Sequence, residues 1–206
     1  MGRVAIVTGA SSGIGAVTSR LLHERGFHVY AVSRRLERMA PLAALGVETV
    51  RADVTVEADL VALVDRVVAG SHRIDVLVNN AGYGSFGALE DVPLAEARRQ
   101  FEVNVFGAAR LCQLVLPRLR AQGGGRIINV SSVGARMYQP LGGWYHATKY
   151  ALEGLSDCLR VEVRPLGIDV VLIEPGGVAT EFPRIAGEQL LGVSGNGAYA
   201  GYARRY

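Results

Sequence analysis

The sequence predicts an α/β fold, a doubly wound, Rossmann-like parallel sheet with helices on both faces. Three observations carry that prediction. Short β-branched runs alternate with longer amphipathic ones along the whole chain, as strand and crossover-helix units require. The runs Val76-Leu77-Val78 and Val170-Val171-Leu172-Ile173 are continuously apolar, the pattern of strands covered on both sides. The distinctive polar and glycine-rich segments all follow strands, which places them at the one sheet edge where such folds bind ligands.

Taken in order, a strand over 4–7 runs into the turn Thr8-Gly9-Ala10-Ser11-Ser12-Gly13-Ile14-Gly15 and a helix over 16–25, closed by Gly26. A second strand over 28–32 ends on Ser33-Arg34-Arg35. The third, 47–50, leads through Ala52-Asp53-Val54 into a helix over 57–69, closed by Gly70. The fourth, 74–78, gives Asn79-Asn80-Ala81-Gly82 and then a long helix over 94–119. The fifth, 126–130, gives Ser131-Ser132 and a helix over 145–164 that stops before Pro165. The sixth, 168–173, gives Glu174-Pro175-Gly176-Gly177.

The composition bounds the function. With 206 residues, 50% hydrophobic and 20% charged, the chain is globular, and disorder or collagen-like repeats are set aside. One domain over 1–206 is expected, burying about 70% of the surface its unfolded chain exposes. The surplus of three positive charges is spread without a basic run, so no nucleic-acid partner is expected. No charge-free stretch, 189–203 included, reaches a membrane span of about 20 residues, and the opening Met1-Gly2-Arg3-Val4-Ala5-Ile6-Val7 is too short an apolar run for a signal peptide. A cytoplasmic protein without membrane contact is expected. Cys112 and Cys158 fall in apolar helical patterns and are read as small buried hydrophobes. No histidine or carboxylate set has metal-ligand spacing, so no metal is expected: His23, His28 and His72 are read as surface or structural residues and His146 as cleft wall.

The outlying number is glycine, 26 residues against an average near 7%. Gly9, Gly13 and Gly15 sit between a strand and a helix, where glycine permits a tight turn and a close approach to an anion facing the first helix amides. Pyrophosphate is the natural ligand of such a turn. Tyr145 and Lys149, four residues apart, share one helix face. A free tyrosine titrates near pH 10, and a neighbouring ammonium favours the phenolate, making Tyr145 a candidate general acid and base. Ser132, at the mouth of the fifth strand, is placed to donate a hydrogen bond to the oxygen with which Tyr145 would exchange a proton.

The T-G-x-x-x-G-x-G run over 8–15, Asn79-Asn80-Ala81-Gly82, Asn104 in Val103-Asn104-Val105, Ser132 and Tyr145-His146-Ala147-Thr148-Lys149 resemble the short-chain dehydrogenases/reductases of the single-domain branch, in order and in spacing. The resemblance spans nearly the whole chain. It implies a sheet in the order 3-2-1-4-5-6 and a catalytic set of Asn104, Ser132, Tyr145 and Lys149. Asn104 would hold a water linking the lysine to solvent; the plain alternative is a helix-bending asparagine with a satisfied amide. The lysine would also bind the nicotinamide ribose beside Tyr145.

For the cofactor, the resemblance points to Gly9, Ser11, Ser12, Gly13, Ile14 and Gly15 around the pyrophosphate, Asp53 and Val54 at the adenine, and the run Asn80, Ala81, Gly82. Pro175, Gly176, Val178 and Thr180 would lie beside the nicotinamide. Ser33, Arg34 and Arg35 stand where an acidic residue would select NAD, so NADP(H) is expected and NAD disfavoured. The plain alternatives are a solvated helix start for the arginines and a helix cap for Asp53. Some NADP-using members carry a basic residue inside the first glycine run, and Ala10-Ser11-Ser12 has none.

Substrate contacts are expected from 83–89, 133–144 and the stretch from Glu181 onward, which hold Tyr83, Phe86, Met137, Tyr138, Leu141, Trp144 and Phe182. That set predicts a small hydrophobic ketone or secondary alcohol, although Arg136 and Arg184 run against it. An NADPH-binding sensor or scaffold without turnover is the alternative; it would call for a damaged catalytic position, and none is damaged. Family members usually continue into a seventh strand beside the sixth. Residues 181–206 are therefore expected to be an incomplete substrate-loop region, and 168–173 an edge strand that further residues or another chain would cover. The long helices over 94–119 and 145–164 imply a homodimer, and a homotetramer if the further strand is present.

Overall fold

A computed structural model describes residues 2–205; Met1 and Tyr206, the outermost positions of the expected domain, lie outside the described residues. Strands β1 (Val4–Thr8), β2 (His28–Ser33), β3 (Glu48–Arg51), β4 (Val76–Asn79), β5 (Gly125–Val130) and β6 (Ile168–Ile173) form one sheet in the order β3-β2-β1-β4-β5-β6. Every pairing is parallel, with Ala5 opposite Val29 on one side and Val76 on the other. The winding reverses between β1 and β4, so the segments leaving these strands diverge and open a crevice at their carboxyl ends.

The connections form α1 (Gly13–Glu24), α2 (Ala40–Ala44), α3 (Glu57–Ser71), α4 (Leu94–Phe101), α5 (Gly107–Ala121), α6 (Gly143–Val163), α7 (Phe182–Ser194) and α8 (Ala200–Ala203). Alternation along the strands divides the core. Val4, Ile6, Tyr30, Val32 and Ile127 pack against Leu60, Leu63 and Val67 of α3, Leu111, Val115 and Leu119 of α5, and Val163 of α6. Ala5, Val7, Val29, Ala31 and Val78 face Leu22 of α1 and Leu42 of α2. On that second side Ile128 and Val130 of β5 are only partly buried, and Ile173 at the end of edge strand β6 is exposed.

Several elements differ from the sequence reading, each for a local reason. The helix expected over 94–119 is interrupted at Glu102–Phe106 by a turn of π-helix, centred on the buried Asn104. Gly107 follows because α5 passes close to the chain after β3: a Cβ there would stand 2.6 Å from the Val54 carbonyl oxygen. Gly70 does not close α3. The helix runs to Ser71, and His72 takes the left-handed capping conformation at φ 57°. Gly70 is there for room, since a Cβ would lie 2.9 Å from the Tyr30 hydroxyl. Cys112 is buried as expected, but Cys158 is exposed, because its position on α6 faces away from the sheet. The stretch from Glu181 onward is helical rather than loop: Ala186, Leu190 and Ser194 recur every four residues and form the buried stripe of α7. Gly187 and Gly192 mask that period in the sequence; neither position is crowded by a neighbour.

Candidate active site

The crevice at the carboxyl ends of the strands is a cleft of about 670 Å³. Gly9, Ser11, Ser12, Gly13, Ile14, Ser33, Arg34, Arg35, Asp53, Val54, Asn80, Ala81, Gly82, Ser132, Tyr145, Lys149, Pro175, Gly176, Val178 and Thr180 all line it. Gly15 and Asn104 stand behind its wall.

Thr8 organises the floor, and the sequence reading gave it no role. Its hydroxyl accepts from the backbone N–H groups of Asn80 and Ala81, both at 3.0 Å, and donates to the Val78 carbonyl at 3.3 Å. The Asn80 side chain donates to the Thr8 carbonyl at 2.9 Å. The ends of β1 and β4 are thereby tied together, and the glycine turn is held against them. Gly9 sits at φ +67°, and a Cβ there would come within 3.0 Å of Asn80 and Ala81. Gly15 serves the same junction, because a Cβ would strike the Gly9 carbonyl and the Asn80 amide, each at 2.5 Å. The turn then feeds α1, whose N-cap Ser12 makes no side-chain capping bond. The first amides of that helix are left facing the cleft.

Beyond the glycine turn, two arginines flank the end of β2. Arg35 donates to the Ser11 hydroxyl at 2.9 Å, while Arg34 stands 3.6 Å from the Asp53 carboxylate. Burial pushes the Asp53 carboxyl up, but hydrogen bonds from Thr55 and the Arg34 guanidinium outweigh it and hold the group below its ordinary value. Tyr83 belongs to this end as well. Its hydroxyl donates to Glu96 at 2.8 Å, and burial together with that carboxylate raises its pKa, against the pull of Arg99 and Arg34.

At the other end lie Ser132, Tyr145 and Lys149. Lys149 is buried and donates to the Val130 carbonyl at 2.9 Å, with its nitrogen 5.9 Å from the centre of the Tyr145 ring. Burial pushes its pKa down to about 8, against an opposing contribution from Glu153. Ser132 caps the short turn Val133–Ala135 by accepting from the Gly134 N–H at 3.0 Å, which leaves its own proton to donate. Asn104 spends both amide protons, on the Tyr83 carbonyl at 2.8 Å and the Thr148 hydroxyl at 3.1 Å. Its oxygen accepts from the Tyr83 N–H at 3.0 Å. The π-turn of the interrupted helix thus pins the segment after β4.

The cleft wall near Tyr145 is apolar. Phe86 and Phe182 pack on its ring at centroid distances of 5.2 and 5.6 Å, and Met137, Pro183 and Ile185 continue the lining. His146 also lines the cleft, with its Nδ1 donating to the Gly134 carbonyl at 2.7 Å. Of the expected substrate set, Tyr138, Leu141 and Trp144 do not reach the cleft: Tyr138 points to solvent and Leu141 is buried. The two arginines that ran against an apolar substrate are both engaged elsewhere, Arg136 with Glu153 and Glu174, Arg184 with Glu188. Among the described residues, no group of three metal-ligating side chains converges, and no helix is long and apolar enough to cross a membrane.

A family model described as short chain dehydrogenase matches residues 3–190. A 3-ketodihydrosphingosine reductase of Bacteroides thetaiotaomicron is 40% identical over 181 residues, which are 87% of this chain and 65% of that protein. An NADPH-dependent 3-dehydrocapnine reductase of Ornithobacterium rhinotracheale is 37% identical over 189 residues, 87% of this chain and 66% of that one. Among solved structures, a short-chain dehydrogenase from Streptomyces avermitilis superposes with a TM-score of 0.84 at 40% identity, covering 86% of this chain and 66% of the other. The chain therefore spans about two thirds of the length of the relatives it matches.

Proposed function

The chain belongs to the short-chain dehydrogenase family, and from that premise we propose that it is an NADP(H)-dependent oxidoreductase acting on a hydrophobic ketone or secondary alcohol. One observation carries the reading: a single cleft joins an anion-ready helix start and two arginines at one end to Ser132, Tyr145 and Lys149 at the other.

The residues fit the dinucleotide. The uncapped amides of α1 would hold a pyrophosphate, Arg35 and Ser11 would hold a 2′-phosphate, and Gly176 and Gly177 leave open space where side chains would otherwise stand. When bound, NADPH supplies the hydride. The chain supplies the proton and the geometry. In reduction, the carbonyl oxygen lies between the Tyr145 hydroxyl, which gives up its proton as general acid, and the Ser132 hydroxyl, whose free proton fixes that oxygen in register. The Lys149 ammonium, held from behind by the Val130 carbonyl, would hold the nicotinamide ribose with its remaining N–H groups and stabilise the tyrosinate. With both amide protons of Asn104 spent, the second lone pair of its oxygen remains to hold the relay water. Phe86, Phe182 and Ile185 exclude water and favour an apolar substrate body. The names of two relatives, a 3-ketodihydrosphingosine reductase and an NADPH-dependent 3-dehydrocapnine reductase, agree with reduction of a ketone. A homodimer across the outer faces of α5 and α6 belongs to the same reading, and Tyr150, Leu155 and Val161 are exposed on α6.

The test is consumption of NADPH, followed at its near-ultraviolet absorbance, against ketones of increasing apolar length. Turnover that rises with apolar length and favours NADPH over NADH is expected. Equal use of the two cofactors would overturn the assignment of Arg34 and Arg35, and no turnover with any ketone or alcohol would overturn the reaction.

A further inference from the structure

Among the 22 basic side chains Lys149 is the sole lysine; the others are arginine. One turn along α6, on the same face, stands Glu153. Its side chain is only 6% exposed. One carboxylate oxygen accepts from Arg136 at 3.0 Å, and the other is buried with no hydrogen-bond partner. Leaving a carboxylate oxygen buried and unpaired is costly unless the charge itself is used.

We propose that Glu153 is a positioning residue for Lys149: its buried carboxylate is the counter-charge that keeps the Lys149 ammonium protonated, with Arg136 holding that carboxylate in place. The inference rests on the reading of Lys149 as part of the active site.

The surrounding charges define the balance. On α6 itself stand Tyr145, Lys149, Glu153 and Asp157. The segment after β5 contributes Arg136, and the end of β6 contributes Glu174, which binds Arg136 at 2.9 and 3.1 Å. β5 presents the Val130 carbonyl to Lys149 and the neutral amide of Asn129 to Ser156, and the π-turn presents the neutral amide of Asn104. Glu153 is therefore bonded to one cation, the exposed Arg136, and acts through space on another, the buried Lys149, while Glu174 takes part of the exposed one. Removing the charge of Glu153 leaves Lys149 with burial unopposed and with Arg136 uncovered on that side. A purely mechanical role, clamping residues 133–137 to α6 through Arg136, would not require the carboxylate to carry charge toward Lys149.

Because the chain holds one lysine, its titration can be read directly. Protein grown on lysine labelled with ¹³C at Cε gives one lysine resonance, whose shift reports the ammonium. We expect a wild-type midpoint near pH 8, lowered by about one unit in Glu153→Gln and largely restored in Glu153→Asp. An unchanged midpoint in Glu153→Gln would overturn the proposal. Should that variant not fold, Arg136→Gln, an exposed side chain whose loss leaves the carboxylate undivided, is expected to move the midpoint upward, and no movement would equally overturn it. Turnover by the same proteins separates the two readings: a shifted titration in a protein that reduces no ketone would remove the proposed reaction and leave the pairing standing.

Discussion

Replacing Lys149 with methionine isolates the cost of the buried charge. The unfolded lysine keeps its proton to about pH 10.5, whereas the native one releases it near pH 8. Below pH 8 both states hold the proton, and the folded state bears the full penalty of a buried ammonium. Between pH 8 and 10.5 the unfolded state holds more protons, so folding stability rises with pH. That gap amounts to about 3 kcal/mol. Lys149→Met also loses the hydrogen bond to the Val130 carbonyl; the part of that loss that does not depend on the proton cancels in a difference, and the rest is contained in the shift itself. Urea unfolding followed by the fluorescence of Trp144, the single tryptophan, should be run on both proteins at pH 7 and pH 10.5. The stability of wild type relative to the variant should grow by about 3 kcal/mol over that interval. A difference that stays constant to within about 0.5 kcal/mol would refute the argument, because burial would then place no penalty on the charge.

Arg35→Ala removes the guanidinium bonded to Ser11 and should weaken NADPH binding about 10- to 100-fold with little change for NADH, as read by cofactor fluorescence titration. Gly9→Ala forces a side chain to φ +67° against Asn80 and Ala81. It should destabilise the fold by at least about 1 to 2 kcal/mol in a denaturation curve and loosen cofactor binding with it. For the thiols, burial pushes Cys112 up to about 12, against a hydrogen bond from Asn79, while Cys158 is exposed. Iodoacetamide at pH 8 should therefore modify one thiol in the native protein and two in denaturant, by intact mass.

The sheet was legible because its strands are short, β-branched and followed by glycine or polar residues, signals that depend on neighbours in sequence. The cleft was legible for the same reason: Gly9, Ser132 and Arg35 each follow a strand, and topology brings strand ends together without further information. What the sequence obscured depends on contacts distant along the chain. The π-turn at Asn104 exists because the Tyr83 backbone takes the amide, and nothing in the helical pattern over 94–119 marks it. Gly70 looks like helix punctuation and Gly107 like an ordinary position within a helix, but they answer to Tyr30 and to Val54. Cys158 sits in an apolar pattern, yet it falls on the face of α6 turned from the sheet. Thr8 and Glu153 read as an ordinary strand end and an ordinary helix charge until the folded chain shows the hydroxyl joining β1 to β4 and the carboxylate buried beside the lysine.

The central claim is that Tyr145 moves the proton while the rest of the cleft binds the reactants, and Tyr145→Phe tests it most directly. The variant keeps the ring packed between Phe86 and Phe182 and loses only the hydroxyl. NADPH affinity should remain within a few-fold of wild type, and kcat for a ketone that wild type reduces should fall by about 100-fold or more. Tyr145→Phe turning over at the wild-type rate would contradict the account.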